Sequence, residues 1–402
     1  MRRAFLPFHQ ASITEAEIDE VVAALRSGWI TTGPRVKTFE QEFAAYVGAA
    51  RAVALNSCTA ALHLALDAIG LRPSDEVIVP VITFTATAEV VRYFDARPVF
   101  VDVDPDTLNI DPARVAAAVT PRTRAIIPVH MAGQPCEMDS LLALARAHDL
   151  AVIEDAAHAL PARYKGRMVG ALGDMTAFSF YATKTITTAE GGMLTTDDEE
   201  YAARVALMSL HGISKDAWKR YSASGSWFYE VEAPGFKYNM PDLSAALGLP
   251  QLRRCDALWA ARAAVAARYD EAFADLPEVA TPTVAPDVQH AWHLYIIRLN
   301  LDALDIDRAA FMHELHALNI GTSVHFIPLH LHPYYQRLTG HRPDDFPTAL
   351  GAYERIVSLP IYPSMNEQDI MDVVEAVRTV ARRHRKPLAL GAAPASTAAQ
   401  GR

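Results

Sequence analysis

The feature that most constrains the fold is a series of short apolar runs, rich in β-branched residues, within the first 200 residues. Four of these runs are EVIVPVITF, PVFVDV, RAIIPVHMAG and LAVIEDAAHA. Strands that are buried on both faces have this continuous apolar character, and helical patterns such as MDSLLALARAHD lie between some of the runs. Strands that alternate with helices in this way indicate an α/β fold with a mainly parallel central sheet.

The length of the chain and a change of pattern near residue 250 predict two domains. The chain has 402 residues, whereas a single core rarely grows beyond about 250–300 residues. We expect a large domain over residues 1–250 and a smaller α+β domain over residues 251–387, in which strands, helices and a loop rich in histidine and proline are mixed. The last segment, residues 388–402, consists of small and polar residues, and we expect it to be disordered.

Composition disfavours several classes of protein. The net charge of −10 argues against nucleic-acid binding, because contact with a phosphate backbone needs a basic face. The three cysteines lie far apart without a C-x-x-C pair, which argues against a zinc site or a disulfide framework. No apolar run approaches the roughly 18 residues of a membrane span, and no signal-peptide pattern follows the N-terminus. We therefore expect a cytoplasmic protein that acts on small molecules.

Lys184 lies in a polar turn directly after a predicted strand, in the segment FSFYATKTITTAEGGM. A lysine on a loop at a strand end can reach into a cleft, where desolvation lowers its pKa and frees the neutral amine to form a Schiff base. The alternative is an ordinary surface lysine surrounded by water. The residues upstream favour the first interpretation.

Asp155 ends the apolar strand of LAVIEDAAHA, 29 residues before Lys184. In open parallel sheets the carboxyl ends of the strands face the ligand crevice. A carboxylate there can pair with the ring nitrogen of pyridoxal 5′-phosphate (PLP) and keep it protonated. The neighbouring Glu154 has the weaker claim, because successive strand residues point to opposite faces. The alternative role for Asp155 is a helix N-cap, and the spacing to Lys184 leaves room for a hairpin or an extra strand.

A candidate phosphate site lies between a strand and a helix at Ser57, Cys58 and Thr59. Backbone N–H groups at a helix N-terminus, together with hydroxyl groups, bind anions, although helix capping alone also explains these residues. Ser179 is a further candidate phosphate ligand. Phe84 follows another strand and is placed either to stack on a pyridine ring or to pack in the core.

The histidines raise the question of a metal site. His325 and His330 lie in SVHFIPLHLHPYY, but no carboxylate accompanies them and prolines interrupt the segment, so loop packing or substrate contact is the better interpretation and no metal is predicted. His130 ends a strand and is expected to face the crevice. His158 follows Asp155 by three residues.

Five segments in order resemble one known family. They are NSCTAAL, PVITFTATAE, EDAAHA, FSFYATKTITTAEGGM and GFKYNMPDLSAALGLPQL. Together they resemble the DegT/DnrJ/EryC1/StrS sugar aminotransferases, which have the PLP-dependent fold type I, over roughly residues 5–380. One branch of that family carries histidine at the lysine position and dehydrates sugars; the lysine in this chain argues against that branch.

The resemblance implies roles for individual residues at the cofactor. Lys184 matches the Schiff-base lysine and Asp155 the partner of the pyridine nitrogen. Phe84 matches the aromatic residue that stacks on the ring, and His158 matches a residue near the phenolic oxygen. The residues that match the phosphate cradle are Cys58, Thr59 and Ser179.

The resemblance also implies a homodimer with shared active sites. Asn239 matches a residue that reaches the cofactor phosphate of the neighbouring subunit. His325 and His330 match a segment that lies near the sugar nucleotide. Cys58 departs from the glycine of many members, and Lys237 with Asn239 stands where many read N-x-R. The K-x-N form and TTAEGG are closer to members that act at C4 of UDP-linked 4-keto sugars, such as the aminoarabinose-pathway enzyme.

The implied reaction is a ping-pong transamination through a Schiff base on Lys184, from an amino donor such as glutamate to a nucleotide-linked keto sugar. Lys215 lies in a basic loop, residues 211–230, that either clamps the diphosphate or is simply solvated. Two alternatives remain at this point. One is another PLP reaction, such as nucleotide-sugar dehydration, and the other is a PLP-binding regulator without turnover.

Overall fold

The computed structural model describes residues 2–213 and 228–387. The strands are β1 (Arg51–Leu55), β2 (Glu76–Pro80), β3 (Arg97–Val101), β4 (Thr123–Ile126), β5 (Ala151–Asp155), β6 (Arg163–Tyr164), β7 (Arg167–Met168), β8 (Met175–Ser179), β9 (Gly192–Thr196), β10 (Val279–Ala280), β11 (Val288–Gln289), β12 (Tyr295–Leu299) and β13 (Ile356–Leu359). The helices are α1 (Glu15–Arg26), α2 (Pro34–Val47), α3 (Cys58–Ala68), α4 (Ala86–Arg92), α5 (Pro112–Ala118), α6 (Met138–His148), α7 (Glu199–Ser209), α8 (Asp242–Arg253), α9 (Cys255–Phe273), α10 (Arg308–Ala317), α11 (Pro333–Thr339), α12 (Pro347–Tyr353) and α13 (Glu367–Arg383).

The main sheet is mostly parallel. Within the described residues it has seven strands in the order β1-β9-β8-β5-β4-β2-β3. The neighbours from β8 to β3 pair in parallel, whereas β9 is antiparallel to both β8 and β1. β1 therefore runs in the same direction as β8, and the carboxyl ends of β1, β2, β5 and β8 reach one edge. The prediction of an α/β fold around a mainly parallel sheet is confirmed.

Both faces of this sheet are covered, which explains the unbroken apolar runs. In β2, Val77 and Val79 belong to one core cluster and Ile78 to the other. The first cluster includes residues of α3, α4 and α7, and the second includes residues of α2, α6 and α8. Successive strand residues point to opposite faces, so a strand between two helical layers has an apolar residue at nearly every position.

A short hairpin occupies the interval between β5 and β8. β6 pairs with β7 in antiparallel fashion, and β11 adds to β6 from much later in the chain. The hairpin accounts for the spacing between Asp155 and Lys184 and confirms that an insertion lies there.

A second, antiparallel sheet follows, in the order β10-β12-β13. It shares a core with α9, α10 and α13, in which Tyr269, Tyr295 and Phe311 are buried. Leu6 also lies in this core: it forms a parallel bridge to Ile320, with the Leu6 N–H 2.8 Å from the Asn319 carbonyl. The boundary proposed at residue 250 falls inside α8, and the proposed tail, residues 388–402, lies outside the described residues. Among the described helices, none combines the length and apolar character that a bilayer crossing requires.

Candidate active site

One cavity of about 360 Å³ lies at the edge where the parallel strands end. β1 leads to Ser57, β2 leads to Phe84, β5 ends on Asp155 and β8 ends on Ser179. The predicted site residues that line the cavity are Ser57, Cys58, Thr59, Phe84, Asp155, His158, Ser179, Lys184 and His325. Segments that are far apart in sequence therefore converge because the strands that carry them run in the same direction.

Lys184 reaches the cavity from a turn after β8. Its backbone N–H donates to the Tyr181 carbonyl at 2.9 Å, and its Nζ lies 3.5 Å from Nε2 of His293. Burial lowers the pKa of Lys184 to about 8, against the opposing influence of Cys58 and Asp155. A larger share of neutral amine is therefore present near neutral pH than a surface lysine has.

Asp155 and Glu154 face opposite sides of the main sheet. The Asp155 carboxylate lines the cavity and accepts hydrogen bonds from the Thr87 hydroxyl (2.8 Å) and the Ala157 N–H (3.1 Å). Burial raises the pKa of Asp155, and those two hydrogen bonds oppose the shift. Glu154 instead lies 2.8 Å from Nε2 of His130 in the opposite face. The expectation that His130 faces the crevice is wrong, because its ring turns toward Glu154 beneath the sheet.

The N-terminus of α3 forms the wall of the cavity next to β9. Ser57 is its N-cap and accepts a hydrogen bond from the Ala60 N–H at 3.1 Å, so the capping role is real. Cys58 and Thr59 begin the helix beside it, and burial raises the pKa of the Cys58 thiol well above its usual value. A Cβ atom at Gly192 would lie 2.4 Å from the Ser57 carbonyl carbon, so only glycine lets β9 approach this loop.

Phe84 presents its ring to the cavity and not to the core. Its side chain is 59% exposed, and its ring centroid lies 6.0 Å from that of Phe326. The core interpretation of Phe84 is therefore wrong. An exposed aromatic ring at a cavity wall provides an apolar surface for a flat ligand.

Two buried imidazoles adjoin Lys184. The rings of His158 and His293 lie 4.4 Å apart, and the Nδ1 atom of each is buried without a hydrogen-bond partner within the described residues. Burial and the neighbouring Lys184 lower the pKa of both rings well below the usual value, so both are neutral. His325 lines the cavity, with Nδ1 2.8 Å from the Ser358 hydroxyl, and burial lowers its pKa to about 4.

Three predicted residues lie elsewhere. His330 is fully buried, with Nε2 3.1 Å from the Pro343 carbonyl and its ring against Phe346, so the structure does not bring it to the cavity. Asn239 lies at a separate depression, where its amide donates to the Thr32 hydroxyl at 2.6 Å. Lys215 lies outside the described residues. Among those residues, no group of three or more His, Cys, Asp or Glu side chains is placed to hold a metal ion.

Sequence reasoning missed His293 and Phe326 in the lining, and Arg262 behind it. His293 precedes β12 in HAWHLYIIRL, and nothing in that strand pattern separates a cavity residue from a core residue. Arg262 did carry a signal: it lies on the buried stripe of α9, in register with Leu258 and Val265. A charged residue on an apolar helical face indicates a role beyond solvation.

Taken together, the cavity offers a nucleophilic amine of lowered pKa, a carboxylate held across from it, hydroxyl and backbone donors at a helix N-terminus, and an exposed aromatic ring. A Schiff-base lysine with a carboxylate and an anion site suits a phosphorylated aldehyde cofactor. The donor set therefore fits PLP on the observed geometry.

Comparisons with known proteins agree with this chemistry. The model of the DegT/DnrJ/EryC1/StrS aminotransferase family matches residues 11–378. The spore coat polysaccharide biosynthesis protein SpsC of Bacillus subtilis is 54% identical over 382 residues, which is 95% of this chain and 98% of that protein. The putative sugar aminotransferase Spr1654 of Streptococcus pneumoniae, solved in a PMP-form, has a TM-score of 0.89 at 38% identity, with 94% of this chain and 99% of that chain covered.

A more distant solved relative is PseC of Helicobacter pylori, described as an aminotransferase involved in the biosynthesis of pseudoaminic acid. It has a TM-score of 0.88 at 28% identity, with 95% of this chain and 100% of that chain covered. Spr1654 has also been solved in a PLP-form, so PLP as the cofactor of the family is confirmed. The match over nearly the whole sequence and the likeness of the folds lead to one conclusion: the chain belongs to the DegT/DnrJ/EryC1/StrS aminotransferase family.

Proposed function

We propose that this protein is a PLP-dependent aminotransferase that transfers an amino group from an amino-acid donor, glutamate in the first instance, to a nucleotide-linked keto sugar. The acceptor position we propose is C4 of a UDP-linked 4-keto sugar. The observation that carries the proposal is the meeting of Lys184 and Asp155 in one cavity, with the pKa of the lysine lowered to about 8.

The cofactor phosphate is assigned to the N-terminus of α3. Ser57, Thr59 and Ser179 supply hydroxyl groups there, and Gly192 keeps the adjoining wall free of side-chain atoms. Hydroxyl groups and free helix N–H groups bind phosphate without a lysine or arginine. Cys58, in the same turn, contributes its backbone.

When bound, PLP supplies an aldehyde that takes up amino groups and a ring that withdraws electrons. Asp155 would hold a proton on the ring nitrogen, and Phe84 would cover one face of the ring and exclude water. The Nζ of Lys184 would accept the proton that the donor loses and return it later in the transfer. His158, whose ring burial keeps neutral, would hold the phenolic oxygen side of the ring.

The substrate and the assembly are proposed from the family and from the location of two residues. Similarity to the spore coat polysaccharide biosynthesis protein SpsC and to the putative sugar aminotransferase Spr1654 supports a sugar acceptor in polysaccharide biosynthesis. His325 lines the cavity and is assigned to the acceptor side. Asn239 lies in a depression separate from the cavity of Lys184, and together with the family resemblance this location supports a homodimer in which Asn239 serves the neighbouring site.

The visible spectrum of the purified holoenzyme, before and after addition of glutamate, tests this function. We expect a yellow band that bleaches with glutamate and returns when a UDP-linked 4-keto sugar is added. Lys184→Ala, reconstituted with PLP, should show neither the band nor its bleaching.

The outcomes separate the alternatives. A protein that cannot be reconstituted with PLP contradicts the proposal altogether. A band that no amino donor bleaches supports a regulator without turnover, and loss of water from a nucleotide sugar without amino transfer supports a dehydratase. Bleaching by glutamine but not glutamate would correct the donor alone.

A further inference from the structure

Arg262 is a fully buried arginine without an acidic partner. It lies on α9, and its exposed fraction is 0%. Within residues 2–213 and 228–387, no carboxylate forms an ion pair or hydrogen bond with its guanidinium, and Nε has no hydrogen-bond partner at all. Burial lowers the pKa of Arg262 to about 10, so the side chain still carries a positive charge at neutral pH.

Backbone carbonyls take the place of the missing carboxylate. Nη1 donates to the carbonyls of Ile361 (2.8 Å) and His293 (3.2 Å), and Nη2 lies 3.4 Å from the carbonyl of Thr183. Thr183 directly precedes Lys184, and the His293 ring lies beside the Lys184 amine. The guanidinium of Arg262 therefore contacts the backbone on both sides of the contact between Lys184 and His293: the carbonyl of His293 itself and that of Thr183, next to Lys184.

Such an arrangement is costly to the fold. An unpaired buried cation loses its hydration, and carbonyl dipoles compensate it only in part. A protein that needed only a link between α9 and these two segments would be served by a neutral donor. The uncompensated charge itself therefore calls for an explanation.

The charges that face Lys184 explain what the cation does there. The titratable groups around it are His9, Cys58, Asp155, His158, Arg262, His293 and His325. The imidazoles are neutral because burial lowers their pKa, and the Cys58 thiol is neutral because burial raises its pKa. Burial is the main cause that lowers the pKa of Lys184; Asp155 favours the ammonium form, and Arg262 opposes it and so adds to the effect of burial.

We propose that Arg262 is a positioning residue of the reaction: its buried positive charge, held by carbonyls on both sides of the Lys184–His293 contact, adds to the effect of burial in favouring the neutral form of the Lys184 amine. A neutral amine is both the nucleophile and the proton acceptor that the proposed function requires, so this inference rests on that function. A cation next to a lysine is a direct way to suppress its protonation in a site that also contains a carboxylate.

The competing explanation is a purely structural link. In that case the hydrogen bonds of Arg262 matter and its charge does not. Arg262→Gln keeps hydrogen-bond donors and removes the charge, whereas Arg262→Lys keeps a cation as far as burial leaves the introduced lysine protonated, and it loses the planar fork. Arg262→Met is a second neutral variant of similar length.

The measurement is the titration of Lys184 in the cofactor-free full-length protein. Peptide-resolved competitive acetylation as a function of pH reports the pKa of this one lysine without requiring turnover. We expect a pKa near 8 in the wild type, and also in Arg262→Lys where the introduced lysine stays charged. In Arg262→Gln and Arg262→Met we expect the pKa of Lys184 to rise by about half a unit, while burial holds it below the ordinary lysine value.

Two results would overturn the proposal. One is an ordinary pKa for Lys184 in the wild type, and the other is an unchanged pKa in a folded neutral variant. If neither neutral variant folds, Arg262→Lys decides, because the same acetylation also reports the pKa of the introduced lysine. A pKa of Lys184 that is unchanged although the introduced lysine is neutral near pH 8, or that shifts although it is charged there, contradicts a role for the charge.

The same experiments distinguish this inference from the proposed function. If the wild type binds PLP and transfers amino groups, but the pKa of Lys184 does not depend on the charge at position 262, only the inference fails. If the pKa of Lys184 changes with that charge but no donor or keto sugar reacts, the proposed function fails and the electrostatic effect remains.

Discussion

At the scale of single residues, the adjacent carboxylates Glu154 and Asp155 have different roles because they lie on opposite faces of the main sheet. Asp155 opens into the cavity, whereas Glu154 is enclosed by His130, the Gly173 N–H and the Thr176 hydroxyl. Both are buried and neither is redundant. Their side chains diverge because alternate residues of β5 point to opposite faces of the sheet.

We predict that Asp155→Asn slows the first half-reaction with glutamate by about 10²–10³-fold, the usual loss when a preorganised electrostatic group is removed from a transition state. Asparagine keeps the shape but cannot hold a proton on the ring nitrogen. Single-turnover bleaching of the visible band measures this. Glu154→Gln is the matched control, and it should lower the melting temperature while leaving that rate within a few-fold. Equal losses in both variants would contradict the assignment.

The pKa of Lys184 predicts the pH dependence of cofactor capture. The amine gains its neutral form as pH rises through about 8. The rate of band formation in cofactor-free protein should therefore rise roughly tenfold from pH 7 to pH 9 and then level off. Stopped-flow mixing with PLP measures it, and the same reaction with a free lysine derivative corrects for the cofactor's own titration. A rate that keeps climbing beyond pH 10 would contradict the lowered pKa.

Site residues with a local sequence signal were predictable. Lys184 and Asp155 follow apolar strands, and strand ends face the crevice. His293 carried no such signal, because its position beside Lys184 depends on how β12 packs against the main sheet. The prediction for His330 was wrong for the same reason. His330 follows the cavity residue His325 by five positions, but its ring packs against Phe346.

At the scale of elements, the cavity depends on close contact between β9 and the start of α3. β9 pairs with β1 so that Gly192 lies opposite Leu55, directly before the loop that caps α3. The strands β2 to β5 were predictable from their apolar runs. The reversed direction of β9 was not, because strand order is set by pairings between distant segments.

We predict that Gly192→Ala weakens PLP binding and destabilises the protein by about 1–3 kcal/mol, the usual cost of overpacking. The new methyl group would overlap the backbone of Ser57 and Cys58. PLP titration and thermal melting measure the two effects. Gly351→Ala in α12 is the control, since nothing lies within 4 Å of its added Cβ, and it should be neutral or slightly stabilising. If both variants behave alike, the close-approach argument is wrong.

At the scale of the whole molecule, the proposed homodimer makes each site depend on two chains. Lys184 and Asn239 lie in different depressions of one protomer. If Asn239 serves the neighbouring site, each active site combines Lys184 of one protomer with Asn239 of the other. A dimer of two different variants then contains one site with both residues intact and one site with neither. An isologous dimer built in this way contains two equivalent composite sites.

We predict that Lys184→Ala and Asn239→Ala proteins, each of low activity, regain activity when unfolded, mixed and refolded together. Half of the random dimers then contain one intact site of two, so recovery should approach about a quarter of the wild-type activity. Coupled detection of keto-acid formation from glutamate measures it. Mixing without subunit exchange is the control, and no recovery after proven exchange would place both residues in the same site.

The pairing of Leu6 with Ile320 joins two segments that are more than 300 residues apart in sequence. During synthesis at about 5–20 residues per second, Leu6 is added to the chain roughly 15 to 60 seconds before Ile320. Its bridge partner is absent during that interval. The core formed by Leu6 with α9, α10 and α13 is therefore completed only after α13 has been synthesised, so the rate of translation limits its assembly.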